Sequence, residues 1–141
     1  MAAFNKFNSF VEDVAEKVHN LGSDSLKVVL TNTLPVNTNT ILANITQIAN
    51  GNGYTTGGAA ASISASAQGS GTYKLTLADV VFTASGGSIG PFRYAVLYND
   101  TPTSPVDPLI GWWDYGSAVT LAEFDTFTVD FDATNGVLTI A

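Results

Sequence analysis

Hydrophobic spacing changes period once along this chain, near Gly22. Before that point Phe7, Phe10, Val14 and Val18 recur three to four residues apart, the spacing of one face of a helix. Ser9 and Glu12 form an S-x-x-E capping pattern, and Glu12, Asp13 and Glu16 sit early, where the helix dipole favours anions. Asn20, Leu21 and Gly22 carry the stop signal. The spacing predicts a helix over about residues 8–19.

Beyond Gly22 the period is two. Leu26, Val28 and Leu30 fall on one face of a strand, with Lys27, Val29 and Thr31 on the other. Residues 72–84 repeat the pattern with Tyr73, Leu75 and Leu77. In 91–98, Phe92, Tyr94, Val96 and Tyr98 alternate with Arg93, Ala95 and Leu97; both faces of its later part are apolar, which predicts a central strand. Residues 99–108 contain Pro102, Pro105 and Pro108 and read as a turn into a return strand at 109–116. Phe127, Val129 and Phe131 point inward, with Thr126, Thr128 and Asp130 outward. Asn135-Gly136 reads as a hairpin turn before a last strand at 137–141. Residues 41–50 are ambiguous: Ile41, Ile45 and Ile48 have helical spacing, but their branched side chains favour an extended segment or a single turn.

The stretch 51–71 is rich in Gly, Ala and Ser and buries little area for its length. It is expected to be a flexible arm that orders against a neighbour, with residues 62–68 as an edge strand. Strands at about ten-residue intervals, separated by turn signals, predict an antiparallel β-sandwich, jelly-roll-like or related, over about residues 24–141. With the short N-terminal α-helix this makes one mainly β domain, residues 1–141.

Composition narrows the function classes. The chain is 45% hydrophobic and 12% charged, unlike a disordered segment. Its net charge is −7, with only Lys6, Lys17, Lys27, Lys74 and Arg93 as cations. Five scattered cations make no phosphate-tracking patch, so neither nucleic acid nor an anionic membrane is an expected partner. There is no cysteine, which removes disulfides, thiolate metal sites and cysteine nucleophiles. The start lacks an apolar run of signal-peptide length and no stretch has membrane-spanning length, so the chain is expected to be soluble and made in the cytoplasm. The glycosylation patterns at Asn44 and Asn99 are attributed to chance in a chain rich in Asn and Thr.

No catalytic, cofactor or metal residues are expected. His19 is the only histidine and reads as structural. Asp130, Asp132, Asn135 and Gly136 faintly match a calcium loop, but the spacing fails after Asp132 and no Glu follows. Asp100 and Asp114 are a weak candidate for a hydrolytic carboxylate pair. The glycine pairs match no phosphate loop. What stands out is aromatic density between Arg93 and Ser117: Tyr94, Tyr98, Trp112, Trp113 and Tyr115. Consecutive indoles in a strand face opposite ways. Trp113 is placed with Leu109, Gly111 and Tyr115, and Trp112 with Ile110 and Asp114. Trp112, Trp113, Tyr115, Tyr98 and Tyr54, with the pre-ordered Pro102, Pro105 and Pro108, form the expected contact set.

Residues 7–36, 45–58, 90–101, 108–132 and 135–141 together resemble small virion proteins of tailed bacteriophages. That resemblance implies a non-enzymatic structural role, foremost as a capsid decoration (cement) protein. It implies partners among the major capsid protein and other virion proteins, a homo-oligomer, and a location on the virion. A tail or head–tail junction component is the nearest alternative. A carbohydrate- or receptor-binding module using Trp112 or Trp113 with Tyr115 is another.

Overall fold

A computed structural model describes residues 2–141. The protein is mainly β, an antiparallel sandwich with one short helix near the N-terminus. In chain order the elements are β1 (Asn5–Lys6), α1 (Ser9–Ala15), β2 (Leu26–Thr31), β3 (Ala59–Ala61), β4 (Ile63–Gly69), β5 (Thr72–Leu77), β6 (Val80–Thr83), β7 (Ile89–Asn99), β8 (Leu109–Leu121), β9 (Thr126–Val129) and β10 (Leu138–Ile140). Leu42–Asn44 adds a single 3-10 turn, the outcome left open for residues 41–50.

One layer is a five-stranded sheet in the order β1-β8-β7-β2-β3, so β7 is central as its two apolar faces require. The facing layer consists of β10-β5-β4 and the pair β6-β9. Between them lies the main core. Val28, Leu30, Ala95, Leu97, Ile110 and Trp113 come from the large sheet, and Leu75, Leu77, Phe82, Val129, Phe131 and Leu138 from the other side. The opposite face of the large sheet is also buried. Phe7, Val29, Ile45, Val96, Tyr98 and Leu109 form a second cluster there.

α1 is shorter than the 8–19 expected. Lys17 adopts φ 67° and the Val18 N–H reaches back to the Asp13 carbonyl, so the chain unwinds after Ala15. The capping box does not form: Asn8 precedes the helix, Ser9 lies inside it, and no side chain caps it. Phe7 and Phe10 consequently serve different clusters.

The small-residue segment is not a loose arm over most of its length. β3 pairs with β2, and β4 pairs with β5 as the edge of its sheet, as expected for residues 62–68. Small side chains are needed where the entry to β3 crosses β2. At Gly58 (φ 77°) a Cβ would run into the Val28 carbonyl. The Asn135-Gly136 turn also differs from expectation. β9 pairs with β6 and β10 with β5, so residues 132–136 carry the chain between sheets and join no hairpin. Asp132 organises that crossing by accepting hydrogen bonds from Thr134 N, Asn135 N and Asn135 Nδ2.

An aromatic cleft between the layers

The register of β7 on β8 places the aromatic residues. Ala95 lies opposite Trp113 and Val96 opposite Trp112, so the two indoles do face opposite ways. A bulge breaks the pairing between Leu97–Gly111 and Tyr98–Leu109, leaving Ile110 as an extra residue. Parity flips there. Leu109 belongs to the outer cluster with Val96 and Tyr98, and Ile110 to the main core with Trp113, which reverses the expected face assignment of both. A second irregularity follows Asp114, where Gly116 takes φ 102° and its N–H bonds to Asp114 Oδ1 at 2.8 Å. Tyr115 is held there at 58% exposure, against 6% for Trp113.

Beside these residues the two layers part. Leu30, Ala95 and Trp113 lie in register across β2, β7 and β8 and form the floor of an apolar cleft of about 190 Å³. Phe127 and Val129 of β9 form the far wall, and Phe92 and Tyr115 the near one. The rings meet edge to face: Phe92 on Phe127 at 4.9 Å, Tyr115 on Phe127 at 5.2 Å, and Trp113 on Phe131 at 5.4 Å. The opening follows from one small residue, because Ala95 stands where its neighbours in the row are Leu30 and Trp113. Arg93, Asp130 and Ala2 reach the lining as well. Arg93 is clamped to Asp114, Nε to Oδ1 at 2.8 Å and Nη2 to Oδ2 at 3.1 Å. That bond holds the Asp114 carboxyl below the usual carboxylate range.

The expected contact set divides. Tyr115 and Pro105 are exposed, and Trp112 and Pro102 are half-buried. Tyr54, Tyr98 and Pro108 are buried and belong to no free surface. Each has a local reason. Tyr54 hydroxyl donates to Gln47 Oε1 at 2.8 Å and accepts from Leu30 N at 3.3 Å. Tyr98 hydroxyl donates to the Gly57 carbonyl at 2.7 Å. The Pro108 carbonyl accepts from Asn99 N at 3.0 Å. With Trp113 buried and Trp112 turned to the other face, the indoles make no flat exposed strip of the kind sugar stacking needs.

The weighed chemistry dissolves in similar fashion. Asp100 pairs with Lys27 at 3.0 Å and Asp114 with Arg93. Asp114 lies opposite Tyr94, and Asp100 lies six residues further along, about 20 Å at strand rise. That is too far for the two to flank one glycosidic bond. Both Asp132 oxygens are occupied by its own turn, and no group of three or more metal-ligating side chains occurs among the described residues. His19 is held at one ring nitrogen, while its buried Nε2 has no hydrogen-bond partner and lies 4.0 Å from Asp13 Oδ2. Its side chain is fully buried, and Nδ1 lies 3.0 Å from Asn99 Nδ2, which also donates to Asp24 Oδ2 at 2.7 Å. Asn99 therefore donates to an unprotonated Nδ1, and the proton sits on Nε2. Burial pushes the imidazole down to about 4, with Asp24 opposing. No spacing in the sequence links His19 to Asn99, 80 residues away.

No helix among the described residues is long and apolar enough to cross a membrane. Comparison with protein-family models, curated proteins and solved structures finds no match to the chain.

Proposed function

We propose that this chain is a non-enzymatic structural protein of a tailed-phage virion, and specifically a capsid decoration protein that binds the assembled shell through repeated contacts. What supports the reading is the resemblance of its segments to small virion proteins, together with one observation. Large apolar side chains stand exposed at scattered places on the body: Leu34 and Val36 before the 3-10 turn, Val106 in the Pro-rich turn, Tyr115 on β8 and Phe124 after it, with Val11 on α1, Val81 on β6 and Ile140 on β10. In a multivalent binder each of these side chains would meet a different neighbour. Each contact is small, but contacts repeated across a symmetric shell reinforce one another and stabilise the bound state by linkage. The partners in this reading are the major capsid protein and further copies of the chain, and the location is the virion surface.

The test is a copy count in purified particles by quantitative mass spectrometry. A decoration protein is present in hundreds of copies, on the order set by shell symmetry. A handful of copies moves the protein to the tail or head–tail junction, and complete absence from particles ends the virion reading.

A further inference from the structure

We propose that the aromatic cleft is a docking site for an extended polypeptide segment that places one bulky apolar side chain between the layers, with a lysine or arginine beside it. This goes beyond the virion reading and does not rest on it.

Size selects the occupant first. At about 190 Å³ the cleft falls below the roughly 300–1,000 Å³ of sites that enclose a cofactor or drug-sized molecule. It matches a single Leu-, Met- or Phe-sized group. Backbone geometry selects how that group is delivered. β1 pairs with β8 at Trp112 and Gly111, and the chain before it covers the adjoining edge, with Phe4 on the Trp113 ring at 5.5 Å and Ala2 at the cleft. β9 has β6 on one side and no strand on the other. The open edge of β9, beside Val129 and Asp130, thus retains backbone groups able to pair with an added strand, as in strand-addition complexes.

Charge selects the sequence of the segment. Side chains alternate along a strand, so a residue inserting beside Val129 sets its neighbours outward, next to the exposed Asp130. Among the described residues Asp130 has no ionic partner, while Arg93 at the same rim is neutralised by Asp114. Arg93 and Asp114 cancel at the rim, so Asp130 is its uncompensated charge, and the whole chain carries −7, which disfavours a second copy and favours a cationic segment.

The test is titration of the isotope-labelled protein with blocked pentapeptides, followed by NMR of the Trp113 indole and the Phe127, Val129 and Asp130 amides. The probes are Thr-Lys-Leu-Lys-Thr, Thr-Glu-Leu-Glu-Thr and Thr-Lys-Ala-Lys-Thr. The expected result is saturable shifts confined to these residues. The Lys-Leu-Lys peptide should bind about fivefold or more tightly than the Glu-Leu-Glu one, and Asp130→Asn should shrink that preference below about twofold. The Lys-Ala-Lys peptide should lose most of the binding, and so should Ala95→Leu, which fills the floor. Should that variant fail to fold, Tyr115→Ala removes a wall at an exposed site and is expected to weaken the same peptide. Equal binding of the acidic peptide, shifts elsewhere on the surface, or no shift by about 5 mM peptide overturns the proposal. So does saturation by p-cresol without any response to peptide, which makes the cleft a small-molecule site. None of these outcomes alters the particle copy count, so the two proposals fail separately.

Discussion

The two faces of the five-stranded sheet are covered by different means, strands on one side and irregular chain on the other. The inner face is closed by strands β5, β6, β9 and β10, yet it gapes beside Ala95. Across the sheet, irregular chain closes the outer face: the 3-10 turn with Leu42 and Ile45, and the residues just before α1. Polar tethers hold that irregular chain in place. Asn44 Oδ1 accepts from Thr40 N at 3.0 Å and Ile41 N at 3.2 Å, and Gln47 Oε1 accepts from the Tyr54 hydroxyl and from Gly57 N at 2.9 Å. Tyr98 then rivets Gly57 to the sheet. A loop without ladder hydrogen bonds must satisfy its backbone through side chains, and each such bond pins it to one place. The β6-β9 pair bonds to itself along one edge only, and among the described residues no side-chain hydrogen bond ties it to β7 or β8.

The largest expected break in this contrast is Phe7→Ala. Phe7 is fully buried at the centre of the outer cover, and its loss should cost about 3–5 kcal/mol in urea unfolding. Phe127→Ala, in the half-buried wall of the cleft, should cost less than half as much. Equal losses would mean that the two covers are equally well packed.

Acid should separate the regions next. His19 is folded neutral with its pKa lowered from 6.5 to about 4, chiefly by burial. The unfolded chain then takes up a proton before the folded one does. Stability is intact above pH 6.5, falls as pH drops through that window, and has lost up to about 3 kcal/mol by pH 4. Asp13, raised by burial and by Glu12 and Glu16, acts in the opposite sense, so the measure is the difference between wild type and His19→Gln in urea at pH 7 and pH 4.5. Asp114 should be indifferent over this range, because the Arg93 bond keeps it ionised. A pH-independent difference between the two proteins would show that the imidazole is not held neutral.

Smaller again is the rivet. Tyr98→Phe keeps the packing and leaves the Gly57 carbonyl without its donor, at a cost of about 1–2 kcal/mol. Amide exchange should speed up around Gly57 and Gly58 and remain unchanged in β9. Faster exchange in β9 as well would mean that the two covers open together.

These contrasts also mark what the amino-acid sequence can disclose. The cores of β2, β5, β7 and β9 were legible because each alternates against a buried face, and the opposed indoles followed from strand geometry alone. A bulge at Ile110 was not, because nothing local distinguishes an extra residue from a paired one until the partner strand is known. Tyr54 and Tyr98 looked like contact residues because their hydroxyl partners, Gln47 and Gly57, lie on irregular chain whose path no period predicts. The helix ended early where Lys17 took a left-handed conformation that its side chain does not advertise. The aromatic density that suggested a contact surface packs largely into the two clusters, and the cleft depends on Ala95, a small residue whose importance comes only from the row it interrupts.

Tyr115→Ala should have the smallest effect on stability. Its ring is 58% exposed and touches Phe127 edge to face at 5.2 Å, so truncation removes little buried area and one aromatic pair, about 0.5–1 kcal/mol. Trp113→Ala, two residues away, empties part of the core and belongs with Phe7→Ala in magnitude. A loss at Tyr115 comparable to that at Trp113 would show that the ring closes over the cleft and is buried in solution.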